Sequence, residues 1–135
     1  MPSLQQVADQ ERAASAWSSV QEVDKKAEKL KKEYSALARS TPALVQTSGL
    51  GQALAFLRAR DRGQRNTAHW LIYSHVSQWM AGRVDLGDKG RDGLLEWVVT
   101  QTSQVYRHTT AEVVAYLSWL KRFAEAELPE PEEVE

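Results

Sequence analysis

The stretch Thr41-Pro42-Ala43-Leu44-Val45-Gln46-Thr47-Ser48-Gly49-Leu50-Gly51-Gln52-Ala53-Leu54-Ala55-Phe56-Leu57 decides how the chain folds. Pro42 lacks an amide hydrogen and fixes φ, which suits the first position of a new helical turn. It also pushes residue 41 out of the α region. Gly49 and Gly51 allow backbone angles or close approaches that a Cβ forbids, and Gln52 opens the next amphipathic run. The stretch reads as an elbow, with one long helix before it and shorter helices after it.

Upstream, residues 3–37 contain no Gly or Pro, and Ser3 is placed to cap a helix start. Apolar residues Leu4, Val7, Ala13, Ala16, Val20, Val23, Ala27, Leu30, Tyr34 and Leu37 form a stripe, with steps of three and four from Ala13 on. That is one face of a helix, close to a heptad seam. At about 1.5 Å per residue it would be roughly 50 Å long, more than a compact domain needs, so part of it should project or be covered by a partner. Five lysines, Lys25, Lys26, Lys29, Lys31 and Lys32, stand on its other faces against Asp24, Glu28 and Glu33.

Downstream, Leu50, Ala53, Leu54 and Leu57 predict a second helix lying deep against the first. It ends in Arg58-Ala59-Arg60-Asp61-Arg62-Gly63-Gln64-Arg65, with Gly63 as its C-cap. Arginine near a helix C-terminus suits the dipole, but four of them exceed that need and point to an anionic partner. Asn66 or Thr67 caps a third helix carrying Leu71, Ile72, Val76, Trp79 and Met80, which Gly82 stops. Residues 84–93 hold three glycines and read as a mobile loop. Leu94, Leu95, Val98 and Val99 make a short helix that Asp92 is placed to cap. Thr109-Thr110-Ala111-Glu112 reads as a capping box for the last helix, whose buried face is Val113, Tyr116, Leu117, Leu120, Phe123 and Ala124. Pro129 and Pro131 end it.

No segment alternates with period two, and no repeat appears. The predicted fold is all-α, a single-domain helical bundle of about five to six helices with a long N-terminal helix. The bundle occupies residues 1–128, and residues 129–135 form an acidic, flexible tail. With 135 residues and a hydrophobic fraction of 42 %, the chain is the size and composition of one globular domain. It shows neither a membrane span nor a secretory signal, so the expected location is cytoplasmic.

Charge is unevenly distributed. Net charge is -1, yet from Glu125 onward there are six acids and no basic residue, which leaves 17 basic against 12 acidic residues in 1–124. The body is basic and the tail acidic.

Few residue patterns carry chemistry. There is no cysteine, so disulfides, thiolate metal sites and a cysteine nucleophile are absent. His69 and His75 lie six apart, unlike the i, i+4 pair of a zinc helix. Asp85, Asp88 and Asp92 lack the spacing of a calcium loop. Gly49-Leu50-Gly51 is half a dinucleotide fingerprint, but Leu54 holds the third glycine position and no strand precedes it. No G-x-S-x-G turn or H-E-x-x-H pair is present, and His108 has no orienting carboxylate in the sequence. The chain reads as a non-enzyme without cofactor or metal. Of five tryptophans, Trp17 and Trp70 sit off or at the margin of their stripes and are the candidates for an interface, with protein or with unpaired bases.

Five segments together carry a family resemblance. They are Glu11-Arg12-Ala13-Ala14-Ser15-Ala16-Trp17, Glu33-Tyr34-Ser35-Ala36-Leu37-Ala38-Arg39, the elbow, Tyr106-Arg107-His108-Thr109-Thr110-Ala111-Glu112 and Leu117-Ser118-Trp119-Leu120-Lys121-Arg122-Phe123-Ala124-Glu125-Ala126-Glu127-Leu128. The chain resembles the small, all-helical subunit of type III-B CRISPR effector complexes, the fifth protein of the Cmr module. The resemblance implies a non-catalytic structural subunit of an RNA-guided antiviral defence complex. Several copies would stack beside a backbone filament and line the channel for guide and target RNA. It also implies other Cmr subunits, including the backbone subunit, and neighbouring copies of itself as partners. Base pairing would read sequence while the protein binds backbone and shape. Local charge nominates Arg58, Arg60, Arg62 and Arg65, then Lys25, Lys26, Lys29 and Lys32, for RNA contact. The alternatives are a helical protein-protein adaptor with no nucleic-acid contact and a helical metal-dependent nuclease.

Overall fold

The computed structural model describes residues 3–61 and 63–130. In chain order it contains α1 (Leu4–Asp24), α2 (Glu28–Ser48), α3 (Leu50–Asp61), α4 (Ala68–Ala81), a 3-10 segment (Gly87–Asp92), α5 (Leu94–Val98) and α6 (Ser103–Glu127). The described residues form no strand, as the sequence predicts. The longest helix, α6, packs along α1 and α2, while α3 rests on α4 and α2. α4 stands in the middle: seven consecutive residues, Leu71 to Ser77, are buried because neighbours cover it on several sides.

The long N-terminal helix is present as α1, but it ends well before the Leu37 to which the apolar stripe runs. α1 starts where expected, with Ser3 and Gln6 forming a reciprocal capping box. It stops at Asp24, and the chain turns through Lys25 and Lys26 before Ala27, in extended conformation, opens α2. The break lets two halves of one apolar stripe reach a single core. Val20 and Val23 from one side and Tyr34 and Ala38 from the other are all fully buried, which a straight rod would not permit. The stripe's outer end is left uncovered, with Leu4 and Val7 exposed.

The elbow is narrower than predicted. Pro42 does not begin a helix but lies inside α2, which runs on to Ser48. In the turn before it the hydroxyls of Ser40 and Thr41 both donate to the Leu37 carbonyl, Thr41 at 2.6 Å. Burial of Thr41 and Val45 on either side holds the helix through the proline. The reversal is made by Gly49 alone, at φ 92 and ψ 156, a conformation open essentially to glycine.

Three smaller expectations also change. The segment 84–93 is no free loop: Ser77 donates to the Arg91 carbonyl at 2.7 Å and Tyr73 to that of Asp92 at 2.6 Å, so α4 side chains hold the 3-10 segment. Asp92 does not cap α5, whose N-cap is Gly93. Its carboxylate instead faces Ser74 and Arg65. The last helix begins two turns early, at Thr102, whose hydroxyl accepts from the Val105 amide. Thr109 is therefore a buried mid-helix residue, and Glu112 is released for a tertiary role. Thr67, by contrast, caps α4 as expected, accepting from the Trp70 amide, and Gly82 closes it.

Candidate functional site

Glu112 ties three helices together. It accepts from Arg12 through both oxygens, at 2.5 and 3.0 Å, and from the Trp79 indole at 3.1 Å. Burial pushes its carboxyl up, but the Arg12 and Trp79 hydrogen bonds and the charges of Arg12 and Arg83 outweigh this and hold it below the ordinary value. Nearby, Asp9 accepts from the Trp119 indole at 2.8 Å, and Arg83 pairs with Glu11.

A second chain of groups crosses the interior. His75 Nε2 lies 3.1 Å from Glu22, and His75 Nδ1 lies 2.8 Å from the Tyr34 hydroxyl. Carboxylate, imidazole and hydroxyl in line have the connectivity of a catalytic triad. The environment is different. Burial, with Tyr116 and Glu22 close by, pushes the Tyr34 hydroxyl well above its ordinary value, so it stays protonated. Tyr34 is wholly enclosed, which is the chemistry of a packed network. No local pattern announces this chain of groups, because Glu22, Tyr34 and His75 lie on three different helices.

The nominated basic residues separate into classes. Arg58 is engaged internally: it pairs with Glu96 at 2.9 Å, donates to the Tyr73 hydroxyl at 3.4 Å and lies over the Tyr73 ring at 5.1 Å. Arg60 is exposed and lies 5.5 Å from the Phe56 ring centroid. Arg65 keeps 69 % of its side chain exposed while stacking over Trp70 at 4.2 Å and reaching Asp92 at 3.6 Å. Arg62 lies outside the described residues. Lys25, Lys26 and Lys29 are exposed and Lys32 is half-buried. The neighbouring Lys31, outside the nominated set, pairs with Asp24 and Glu28.

The two basic groups approach the same helix. At the α3–α4 turn, burial and then the charge of Arg60 hold the His69 imidazole below its ordinary value, opposed by Glu33 of α2 and by Asp61. Tyr34, next to Glu33, bonds His75, where Glu22 and the charge of Lys26 also act. His69 and His75 are six residues, about 9 Å, apart along α4. Glu33 and Tyr34 of α2 thus act on His69 and His75 respectively, and Lys26 acts on Glu22, the carboxylate partner of His75.

Of the two interface tryptophans, Trp17 is 42 % exposed, edge-on to Phe123. Trp70 is only 8 % exposed, sealed by Tyr73 and Arg65, so it offers no interface of its own. Sequence reasoning missed Phe56 and His69. The four-residue spacing of Phe56 and Arg60 on α3 was the available signal.

The family described as CRISPR-associated protein (Cas_Cmr5) matches residues 8–127. The chain belongs to the Cmr5 family. The CRISPR system Cmr subunit Cmr5 of Thermus thermophilus is 34 % identical over 101 residues, spanning 73 % of this chain and 77 % of the relative. The X-ray crystal structure of a CRISPR-associated Cmr5 family protein from the same species superposes with a TM-score of 0.72 at 30 % identity, over 90 % of this chain and 97 % of that one. The protein is thus a small, all-helical Cmr subunit of the type III-B CRISPR module. Among the described residues no helix is long and apolar enough to cross a membrane. Nor does any group of three or more His, Asp or Glu among them have the arrangement to hold a metal ion.

Proposed function

We propose that this Cmr5-family chain is a non-catalytic structural subunit that stacks beside the backbone filament of the complex and lines the channel for guide and target RNA. The supporting observation is the exposure of two cationic groups, Arg60 and Arg65 about the α3–α4 turn and Lys25, Lys26 and Lys29 about the α1–α2 turn. Such side chains neutralise phosphates without reading sequence. Arg58 is paired with Glu96 and Tyr73 beside the first group, and Arg62 and Lys32 complete the nominated set.

The adaptor reading is favoured by a different surface. Trp17, Leu4 and Val7 expose apolar area on α1, the kind of face that a protein partner covers. The two readings are separated by reversing Arg60 and Arg65 to glutamate in the assembled complex. Incorporation with weakened target binding supports the channel role; incorporation with unchanged binding at moderate salt supports the adaptor. Degradation of RNA by the isolated protein with a divalent ion would refute the non-catalytic assignment.

A further inference from the structure

The turn between α3 and α4 carries more than charge. Phe56 is 37 % exposed on α3. The His69 ring of α4 meets it edge-on, centroids 5.8 Å apart and planes at 69°. Arg60, one helical turn after Phe56, holds its guanidinium carbon 5.5 Å from the same ring. Beside His69 in the chain, Trp70 is covered by Arg65 at 4.2 Å, so the arginine presents the outer layer of that second stack. Arg58, two residues before Arg60 and so on the other side of α3, is committed to Glu96 and Tyr73, which leaves Arg60 as the cation beside the exposed ring.

An exposed aromatic ring flanked by a guanidinium and an imidazole has two uses in one place. The exposed part of the ring and the guanidinium over it offer flat surfaces to a flat partner, and Arg60 and Arg65 carry the charge that its flanking phosphates require. Burial and Arg60 keep His69 toward its neutral form, which leaves an imidazole with a π-face and one N–H donor. An acidic peptide would satisfy the charges but offers the ring a flat group only where it carries an aromatic side chain, whereas every nucleotide carries both.

Resting on the RNA-lining function proposed above, we propose that Phe56 and His69 form a stacking site for an unpaired nucleobase, with Arg60 and Arg65 holding the adjoining phosphates. The subunit then contributes a part of its RNA affinity that does not depend on counterion release.

The test uses the assembled complex loaded with guide RNA. Target affinity is measured across a salt series for Phe56→Ala, Phe56→Trp and the Arg60→Glu, Arg65→Glu double variant, with incorporation of each subunit checked by native mass. Phe56→Ala weakens target binding about fivefold or more with the salt slope unchanged, and Phe56→Trp retains affinity. A photoreactive 4-thiouridine in the target crosslinks to the peptide containing Phe56 or His69 in the parent complex. If Phe56→Ala binds normally and no such crosslink forms while the arginine variant is weakened, the stacking site is refuted and the charged lining stands. If neither variant changes RNA binding, both fail. Loss of incorporation by Phe56→Ala without loss of RNA affinity by the remaining complex identifies the ring as a protein contact and overturns the proposal. Phe56 is partly exposed, so alanine there leaves no core cavity, and circular dichroism verifies the fold.

Discussion

The Gly51 amide donates to the Tyr106 hydroxyl at 2.7 Å, joining the first turn of α3 to the first turns of α6. The bond satisfies one of the orphan amides at a helix start, where no side-chain cap is available because the preceding residue is Gly49. The two glycines beside this bond are not equivalent. A Cβ on Gly51 would lie 3.4 Å from the Tyr106 oxygen and 3.7 Å from Val99, ordinary contact, whereas Gly49 is held at φ 92 whatever surrounds it.

The two glycines should therefore respond differently to the same substitution. Gly49→Ala destabilises by about 1–3 kcal/mol through backbone strain. Gly51→Ala stays within about 0.5 kcal/mol of the parent, contact with Tyr106 being offset by better helix propensity. Tyr106→Phe loses about 1 kcal/mol. Thermal unfolding of the three variants measures the order.

Glu112→Ala leaves Arg12 and the Trp79 indole without their shared acceptor and should cost about 2–3 kcal/mol. Arg12→Ala should cost less, because Glu112 then keeps Trp79 and the nearby Arg83 charge. Urea unfolding midpoints compare them.

Acid should unfold the protein through two carboxyls in particular. The hydrogen bond from His75 holds Glu22 below its ordinary value of 4.5 against burial, and Glu112 is likewise lowered from 4.5. A depressed folded value means that the stabilisation is fully present above about pH 4.5 and is lost as pH falls through the folded values. The melting temperature should fall below about pH 4.5 through these carboxyls, after a smaller decline below about pH 6.5 from His69, whose lowered value makes its protonation favour the unfolded chain. The Glu22→Gln, Glu112→Gln double variant should start lower and fall less steeply.

Helix existence was legible where one apolar face met a clear cap, as at Ser3, Thr67 and Gly82. The break at Lys25 to Ala27 was not, because Ala27 opens α2 without any side-chain cap and an alanine between Lys26 and Glu28 has no turn chemistry to read. Pro42 misled in the opposite direction: local preference makes it a helix start, and burial of its neighbours overrode that preference. Glu112 satisfied the pattern of a capping box while serving α1 and α4, since a four-residue motif cannot distinguish a local acceptor from a distant one. For the same reason charge density alone ranked Arg58 with Arg60. Only the positions of Glu96 and Tyr73 tell the internal arginine from the exposed ones.

The central claim, that exposed cations at the α3–α4 turn face RNA, is tested most directly by the salt dependence of target binding. In the complex containing Arg60→Glu, Arg65→Glu, the plot of log affinity against log salt should become shallower by about 1.4 for each copy that contacts the strand, with weaker binding at low salt. A slope and affinity equal to the parent's, with the variant subunit fully incorporated, would contradict the account.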